Sequence, residues 1–444
     1  LTDTITIRPL AGPFEAKVRP PGSKSLTNRA LLLAALADGE SELHGTLDAD
    51  DPDRMREALQ TIGFEVSHDS TSHITRIKGL GGRFPDGDAD LFLGNAGTAY
   101  RFATAACCLG SGTYTLDGIA RMRERPIQQL VDPLRELGAN IQYLDKQGYP
   151  PLQIQGGKLN GGELIMQPTL SSQYISALLQ IAPFCENELT LAFEGPITSR
   201  PYVQMTLSMM SQFGVDAEVD PGFSRITVPR TPYQAGKYDI EPDASAASYF
   251  LAAAAVVPGS RCTIEGLGFR SVQGDAGFAL LLQRMGAAVV CEPNQTTVIG
   301  LTDGERLSGV DVDLNDMPDM AQTLAAIALF CDGPTTMRNI GNLRVKETDR
   351  IAALQNELSK LGATVDVDGD DMTITPPTDN CITADPDTII ETYDDHRMAM
   401  SFAVIGLAAR ELSSGLTIND PACVNKTFPE FFNVIAELRG ANGG

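Results

Sequence analysis

No stretch of this 444-residue chain reaches the roughly 18 uninterrupted apolar residues of a membrane span. Its first ten residues, LTDTITIRPL, carry no apolar signal core. A cytoplasmic protein with no membrane partner is therefore expected. Cations are scarce: 34 Lys and Arg against 57 Asp and Glu leave a formal charge of 34 − 57 = −23, with the acid spread along the chain. That argues against a nucleic-acid partner, which would call for a basic stripe. The four histidines (His44, His68, His73, His396) have no metal-ligand spacing, and the eight cysteines form no CxxC or Cys/His pattern. Most of the cysteines lie in apolar segments, so reduced, buried thiols are expected. GSKS around Lys24 lacks the GxxxxGK[ST] spacing, GNAGTA is not GxGxxG, and no GxSxG elbow occurs. ATP hydrolysis, dinucleotide binding and serine nucleophilic catalysis are not indicated.

What the chain does have is repetition. Helix-like runs end in Gly63, Gly138, Gly214, Gly286, Gly362 and Gly440, 72 to 78 residues apart. Each of the first five is followed by an alternating, strand-like stretch. Upstream of each lies a second helix that is apolar nearly all round, such as ALLLAALA (30–37) or SYFLAAAAVV (248–257). A helix without a polar face must be buried on every side. One unit thus reads strand, buried helix, strand, outer helix, strand, strand, and six such units predict an α/β protein of two similar halves. Proline- and glycine-rich crossings fall at Pro20–Gly22 and at Lys237–Pro242. They place residues 21–241 in one domain and residues 1–20 with 242–444 in the other.

The informative residues stand just before the buried helices. Ser25, Thr98, Ser172, Ser245, Asp319 and His396 recur at steps of 73 to 77. Helix starts present free N–H groups and a positive dipole end, which suit phosphates and carboxylates. Serine, threonine and aspartate also cap helices, but capping does not call for Lys24, Arg29, Arg101 and Arg397. A second set precedes the outer helices: RMRERPI (121–127), TSRPYV (198–203), RVKETDR (344–350) and VNKTFPE (424–430). Taken singly, RVKETDR could be an exposed helix start with Lys346–Asp349 and Glu347–Arg350 pairs, and Lys426 a solvated charge. Together, Lys24, Arg29, Arg125, Lys346, Arg350, Arg397 and Lys426 suggest two domains closing over a polyanion.

PPGSKSLTNRALLLAALA, LFLGNAGTAYR, RMRERPI, LSSQY, RVKETDRI, YDDHRMAM and NKTFPEFF, in this order from about residue 8 to 435, resemble the enolpyruvyl transferase family. The resemblance implies a two-domain inverse α/β barrel of three repeats per domain, with the active site in the cleft between them. It implies phosphoenolpyruvate and shikimate-3-phosphate as substrates, no metal or organic cofactor, and a monomer. Arg125, Arg350, Arg397, Lys426 and Lys24 would clamp phosphoenolpyruvate, and Asn95, Gly97 and Thr98 would line its pocket. Ser25, Arg29, Ser171, Ser172, Ser199, Tyr202 and Lys346 would hold shikimate-3-phosphate, with Gln173 near its ring. Asn342 and His396 would join the binding set. Asp319 fits the base at the hydroxyl and Glu347 the acid at the methylene, with Lys24 sharing proton transfer. The family commonly has proline where this chain has Phe102, which leaves sensitivity to the family's inhibitor glyphosate open. The sister activity on UDP-N-acetylglucosamine usually goes with a cysteine in the LDGIARMRERPI loop and asparagine after the first lysine; here there is no cysteine, and Ser25 follows Lys24. An RNA terminal-phosphate cyclase would need a nucleophilic histidine and a basic surface. A non-catalytic relative would be expected to lose Lys24, Asp319, Glu347 or Lys426, and all four are present.

Overall fold

The computed structural model describes residues 3–378, 381–385 and 387–440. They fall into two compact units: Gly22–Glu241, here the first unit, and Leu1–Pro21 with Pro242–Gly444, the second. Residues 1, 2 and 441–444, assigned to the second half from the sequence, lie outside the described residues. The first unit carries α1 (Lys24–Leu36), α2 (Asp50–Ile62), α3 (Gly97–Cys107), α4 (Gln128–Glu136), α5 (Ser172–Ile181) and α6 (Arg200–Gln212). The second carries α7 (Ala244–Val256), α8 (Phe278–Arg284), α9 (Ala321–Ala328), α10 (Arg350–Ser359), α11 (His396–Ala408) and α12 (Phe431–Gly440).

Odd-numbered helices are the ones without a polar face, and they form the two cores. All of α7 is buried, as is α1 from Leu26 to Leu36. In the first unit α3 packs on α1 and α5; in the second, α7, α9 and α11 pack on one another. Helices such as α2 bury a single stripe, Met55, Leu59 and Ile62, as the 3.6-residue period dictates. Gly63, Gly138, Gly214, Gly286 and Gly362 stop their helices with φ between 85° and 112°, a left-handed turn that a Cβ would strain. Gly440 is the last described residue and belongs to α12.

Each repeat folds into one small sheet. In the second repeat, strands Ala89–Phe92, Thr113–Asp117, Asn140–Tyr143 and Leu152–Gln155 lie in the order first, second, fourth, third. The first pair is parallel and the others antiparallel. The third and fifth repeats copy this order. The first and fourth repeats exchange their leading strands. Glu15–Val18, which runs toward α1, pairs with Arg261–Glu265 of the second unit; Lys237–Asp239, which runs toward α7, pairs with Asp38–His44 of the first. In the sixth sheet Leu416–Asn419 pairs with Ile389–Ile390 and with Thr4–Ile7, from the other end of the sequence.

Cys107, Cys108, Cys185, Cys262, Cys331 and Cys423 are buried free thiols, while Cys291 and Cys381 are free and exposed. Burial pushes the Cys262 thiol up to about 12. Among the described residues, no helix is long and apolar enough to cross a membrane, and no group of three or more His, Cys, Asp or Glu side chains is placed to hold a metal ion.

Candidate active site

In the first unit, the residues singled out in the sequence gather at the starts of α1, α3 and α5. Capping is done one or two residues earlier than the aligned positions. Ser23 Oγ accepts from the Leu26 N–H at 3.4 Å, and Ser171 Oγ from the Gln173 N–H at 3.3 Å. Ser25, Thr98 and Ser172 therefore stand inside the first turns of their helices, past the residues at the cap positions. Lys24 opens α1, its Nζ 3.5 Å from Asp51 at the start of α2. Arg29 lies one turn deeper and is 1% exposed. It donates to Thr206 Oγ1 (2.8 Å), the Ser25 carbonyl (2.8 Å), Ser176 Oγ (3.2 Å) and the Tyr202 carbonyl (3.2 Å). All four acceptors are neutral, so burial pushes its guanidinium down to about 10. The buried Phe102 ring lies 5.4 Å from the guanidinium carbon, at cation–π distance.

Arg125 Nη1 donates to both the carbonyl and Oδ1 of Asn95, each at 3.1 Å. A Cβ on Gly97 would stand 2.5 Å from nitrogens of both Arg101 and Arg125, so glycine is what lets two guanidiniums crowd the start of α3. Gln173 Nε2 reaches Thr98 Oγ1 at 3.2 Å, joining α5 to α3. Ser199 precedes α6 with φ 54°, a left-handed conformation strained for serine, and its carbonyl accepts the Tyr202 N–H at 3.1 Å.

In the second unit the site is a charge cluster around Arg350, at the start of α10. Arg350 is 1% exposed. Its Nε donates to Asp395 at 2.7 Å, Nη2 to Glu347 at 2.8 Å and Nη1 to Asp319 at 3.1 Å. Burial works against its charge, but Asp395, Glu347 and Asp319 outweigh it and keep the guanidinium protonated. Asp319 sits in a short turn before α9 and is also met by Arg397 Nη2 at 2.8 Å and Lys346 Nζ at 3.8 Å. Glu347 is 3.9 Å from Lys426. The Glu347–Arg350 pair read from RVKETDR exists, but it is buried rather than an exposed helix start, and Lys346 turns to Asp319. His396 opens α11, buried, 3.7 Å from Asp395. Asn342 is buried in the turn Gly341–Val345 just ahead of Lys346. Tyr393 and Asp394, before α11, have φ of 56° and 55°, so strain again marks the approach to a site helix.

Two acids not singled out in the sequence prove integral. Asp51 partners Lys24, and Asp395 both caps α11, accepting the Arg397 N–H at 2.9 Å, and holds Arg350. Tyr249 adds a hydroxyl 3.4 Å from Arg397. The second unit thus pairs two carboxylates capable of moving protons with cations that suit an anionic reactant, while the first offers cations and hydroxyls at helix starts.

Two units of three repeats with exchanged leading strands, and cations at their helix starts, define the class: an inverse α/β barrel of the enolpyruvyl transferase type. A family model described as EPSP synthase (3-phosphoshikimate 1-carboxyvinyltransferase) matches residues 10–435. The chain belongs to the EPSP synthase family. It is 44% identical over 441 residues to the 3-phosphoshikimate 1-carboxyvinyltransferase of Photobacterium profundum, covering 98% of this chain and 99% of that one. It is 48% identical over 425 residues to the protein of that name from Laribacter hongkongensis, covering 94% and 96%. Among solved structures, EPSP synthase from Acinetobacter baumannii shares the fold with a TM-score of 0.77, 24% identity and 98% coverage of both chains. The enolpyruvyl transferase NikO from Streptomyces tendae shares it at 0.73 and 16% identity, covering 98% of this chain and 97% of that one.

Proposed function

We infer that this chain is an enzyme of the shikimate pathway that transfers the enolpyruvyl group of phosphoenolpyruvate to the 5-hydroxyl of shikimate-3-phosphate, releasing phosphate. The observation that carries this is the family match from residue 10 to 435. The cluster of Asp319, Glu347 and Arg350 supplies the chemistry. In the addition step the hydroxyl oxygen bonds to the enol carbon while its proton goes to Asp319, and Glu347 delivers a proton to the methylene, giving a tetrahedral intermediate. In elimination a proton leaves the new methyl group and the C–O bond to phosphate breaks, restoring the vinyl group. Each carboxylate then acts in the reverse sense.

Arg125, Arg350, Arg397 and Lys426 bind phosphoenolpyruvate, with Asn95, Gly97 and Thr98 lining its pocket. Ser25, Arg29, Ser171, Ser172, Gln173, Ser199, Tyr202 and Lys346 hold shikimate-3-phosphate, and Asn342 and His396 complete the set. Lys24 touches both reactants and shares proton transfer. The reading includes a monomer working in the cytoplasm on small molecules, and the charge of −23 supports the absence of a nucleic-acid partner. Phosphate release would be measured with phosphoenolpyruvate plus either shikimate-3-phosphate or UDP-N-acetylglucosamine. Release with the shikimate ester alone is expected; release with the nucleotide sugar alone, or with neither, would overturn the reading.

A further inference from the structure

Buried ionisable groups away from the reacting carboxylates have neighbours that answer them. Glu357 is held by Lys360 and the Tyr393 hydroxyl, and Asp275 accepts the hydroxyl of Ser245. Arg101, in the first turns of α3, is different. It is 4% exposed, and its Nη1 donates to the Gly97 carbonyl at 2.9 Å, one turn back along its own helix. Among the described residues that is its one hydrogen bond; it forms no ion pair, and its Nε is buried without a partner. Other buried arginines are better satisfied. Arg56, Arg350 and Arg397 each meet a carboxylate, Arg29 has four oxygen acceptors, and Arg125 has two on Asn95.

Arg101 is also crowded by a like charge. A Cβ on Gly97 would stand 2.5 Å from Arg101 Nη1 and 2.5 Å from Arg125 Nη2, so those two nitrogens are at most about 5 Å apart. Guanidiniums this close and this buried repel each other with little screening by solvent. The helix adds charge of the same sign. The first N–H groups of α3 carry the positive end of its dipole, and Ala96 at the cap position offers no side-chain acceptor. Packing alone does not call for this arrangement, since a neutral side chain of similar length would fill the space without repulsion.

We propose that Arg101 is a positioning residue for phosphoenolpyruvate: its uncancelled charge, held beside Arg125 at Gly97, strengthens the attraction of that helix start for the anion. The inference rests on the reading of Arg125 and Gly97 as part of the phosphoenolpyruvate site. Tethered to the Gly97 carbonyl, the Arg101 guanidinium need not touch the substrate. Its field acts through buried, weakly polarisable surroundings, where a fixed charge counts for more than it does in water. An anion that joins Arg125 also relieves the repulsion between the two guanidiniums, which favours binding further.

Arg101→Gln keeps a donor for the Gly97 carbonyl but removes the charge, whereas Arg101→Lys keeps the charge. For both variants of the full chain, kcat, the KM of each substrate and the melting temperature without substrate would be measured. Arg101→Gln is expected to raise KM for phosphoenolpyruvate about tenfold and to change KM for shikimate-3-phosphate less than about twofold. Its melting temperature is expected to equal or exceed the parent's, because an unpaired buried charge has been removed. Arg101→Lys is expected to recover most of the lost affinity. An unchanged KM for phosphoenolpyruvate, similar rises in both KM values with a lower melting temperature, or a lysine variant no better than glutamine overturns the proposal. So does failure of Arg101→Gln to fold, which would mark the residue as structural. A parent that releases no phosphate from the two substrates would remove the reading of the site itself; an active parent with Arg101→Gln kinetically unchanged would sink only this inference.

Discussion

Arg29 in the first unit and Arg350 in the second are equally buried, yet their surroundings are opposite. Every acceptor around Arg29 is a hydroxyl or a carbonyl; Arg350 is gripped by Asp319, Glu347 and Asp395. Neutral acceptors leave the charge of Arg29 uncancelled, so its field remains to be answered by an anion. The charge of Arg350 is met within its own unit by three carboxylates. Of two equally buried guanidiniums, one faces only neutral acceptors and the other only carboxylates.

Arg350→Met tests that contrast most severely. It removes the guanidinium from Asp395, which is fully buried, and from Glu347, whose Lys426 partner stands farther off at 3.9 Å, and is expected to cost about 3–5 kcal/mol in urea unfolding as well as turnover. A variant as stable as the parent would show that the cluster does not depend on its central cation. Asp275→Asn acts in the other direction. Its carboxyl is raised from 3.8 to about 6 in the fold, so the native state binds more protons than the unfolded chain between those values. Stability falls as pH rises through that window, and the loss is complete above it. Asparagine should therefore stabilise the protein by about 3 kcal/mol at pH 7.5 and by nothing below about pH 3.8, as melting at the two pH values would show.

Arg29→Met strands no carboxylate. It should raise KM for shikimate-3-phosphate by an amount worth about 1.5–3 kcal/mol, with an unfolding loss well below that of Arg350→Met. Equal losses of stability in the two methionine variants would erase the distinction between the units. The smallest effect belongs to Phe102→Leu, which removes the ring beside Arg29. About 0.5–2 kcal/mol should be lost, read as a modest rise in the same KM. An unchanged KM would mean that the four hydrogen bonds position Arg29 by themselves.

Much of this architecture is legible in the sequence because it rests on local rules. Gly63, Gly138, Gly214, Gly286 and Gly362 betray the repeat because each occupies a left-handed turn, and the inner helices betray their burial by lacking a polar face. The capping pattern is harder to read. Ser23 and Ser25 both flank Lys24, and Ser171 adjoins Ser172, so composition does not say which serine caps. Asp51 hides in the acid-rich run LDADDPDR of a chain with 57 carboxylates, and only the packing of α2 against α1 brings it to Lys24. Asp275, in an ordinary VQGDAG loop, becomes a buried acid only because Gln273 fastens that loop to α7. Tertiary packing, which no short window records, made these residues what they are.

The exchanged strands also set an order of events during synthesis. The three sheets of residues 22–241 are complete once Lys237–Asp239 has left the ribosome. Thr4–Ile7 and Glu15–Val18 emerge before any strand of that unit, yet their partners Leu416–Asn419 and Arg261–Glu265 come much later. These two strands must wait, unpaired, while residues 22–241 fold without them. A chain halted after residue 241 thus holds every strand of its first unit, whereas a chain begun at residue 22 would leave two sheets of the second unit one strand short.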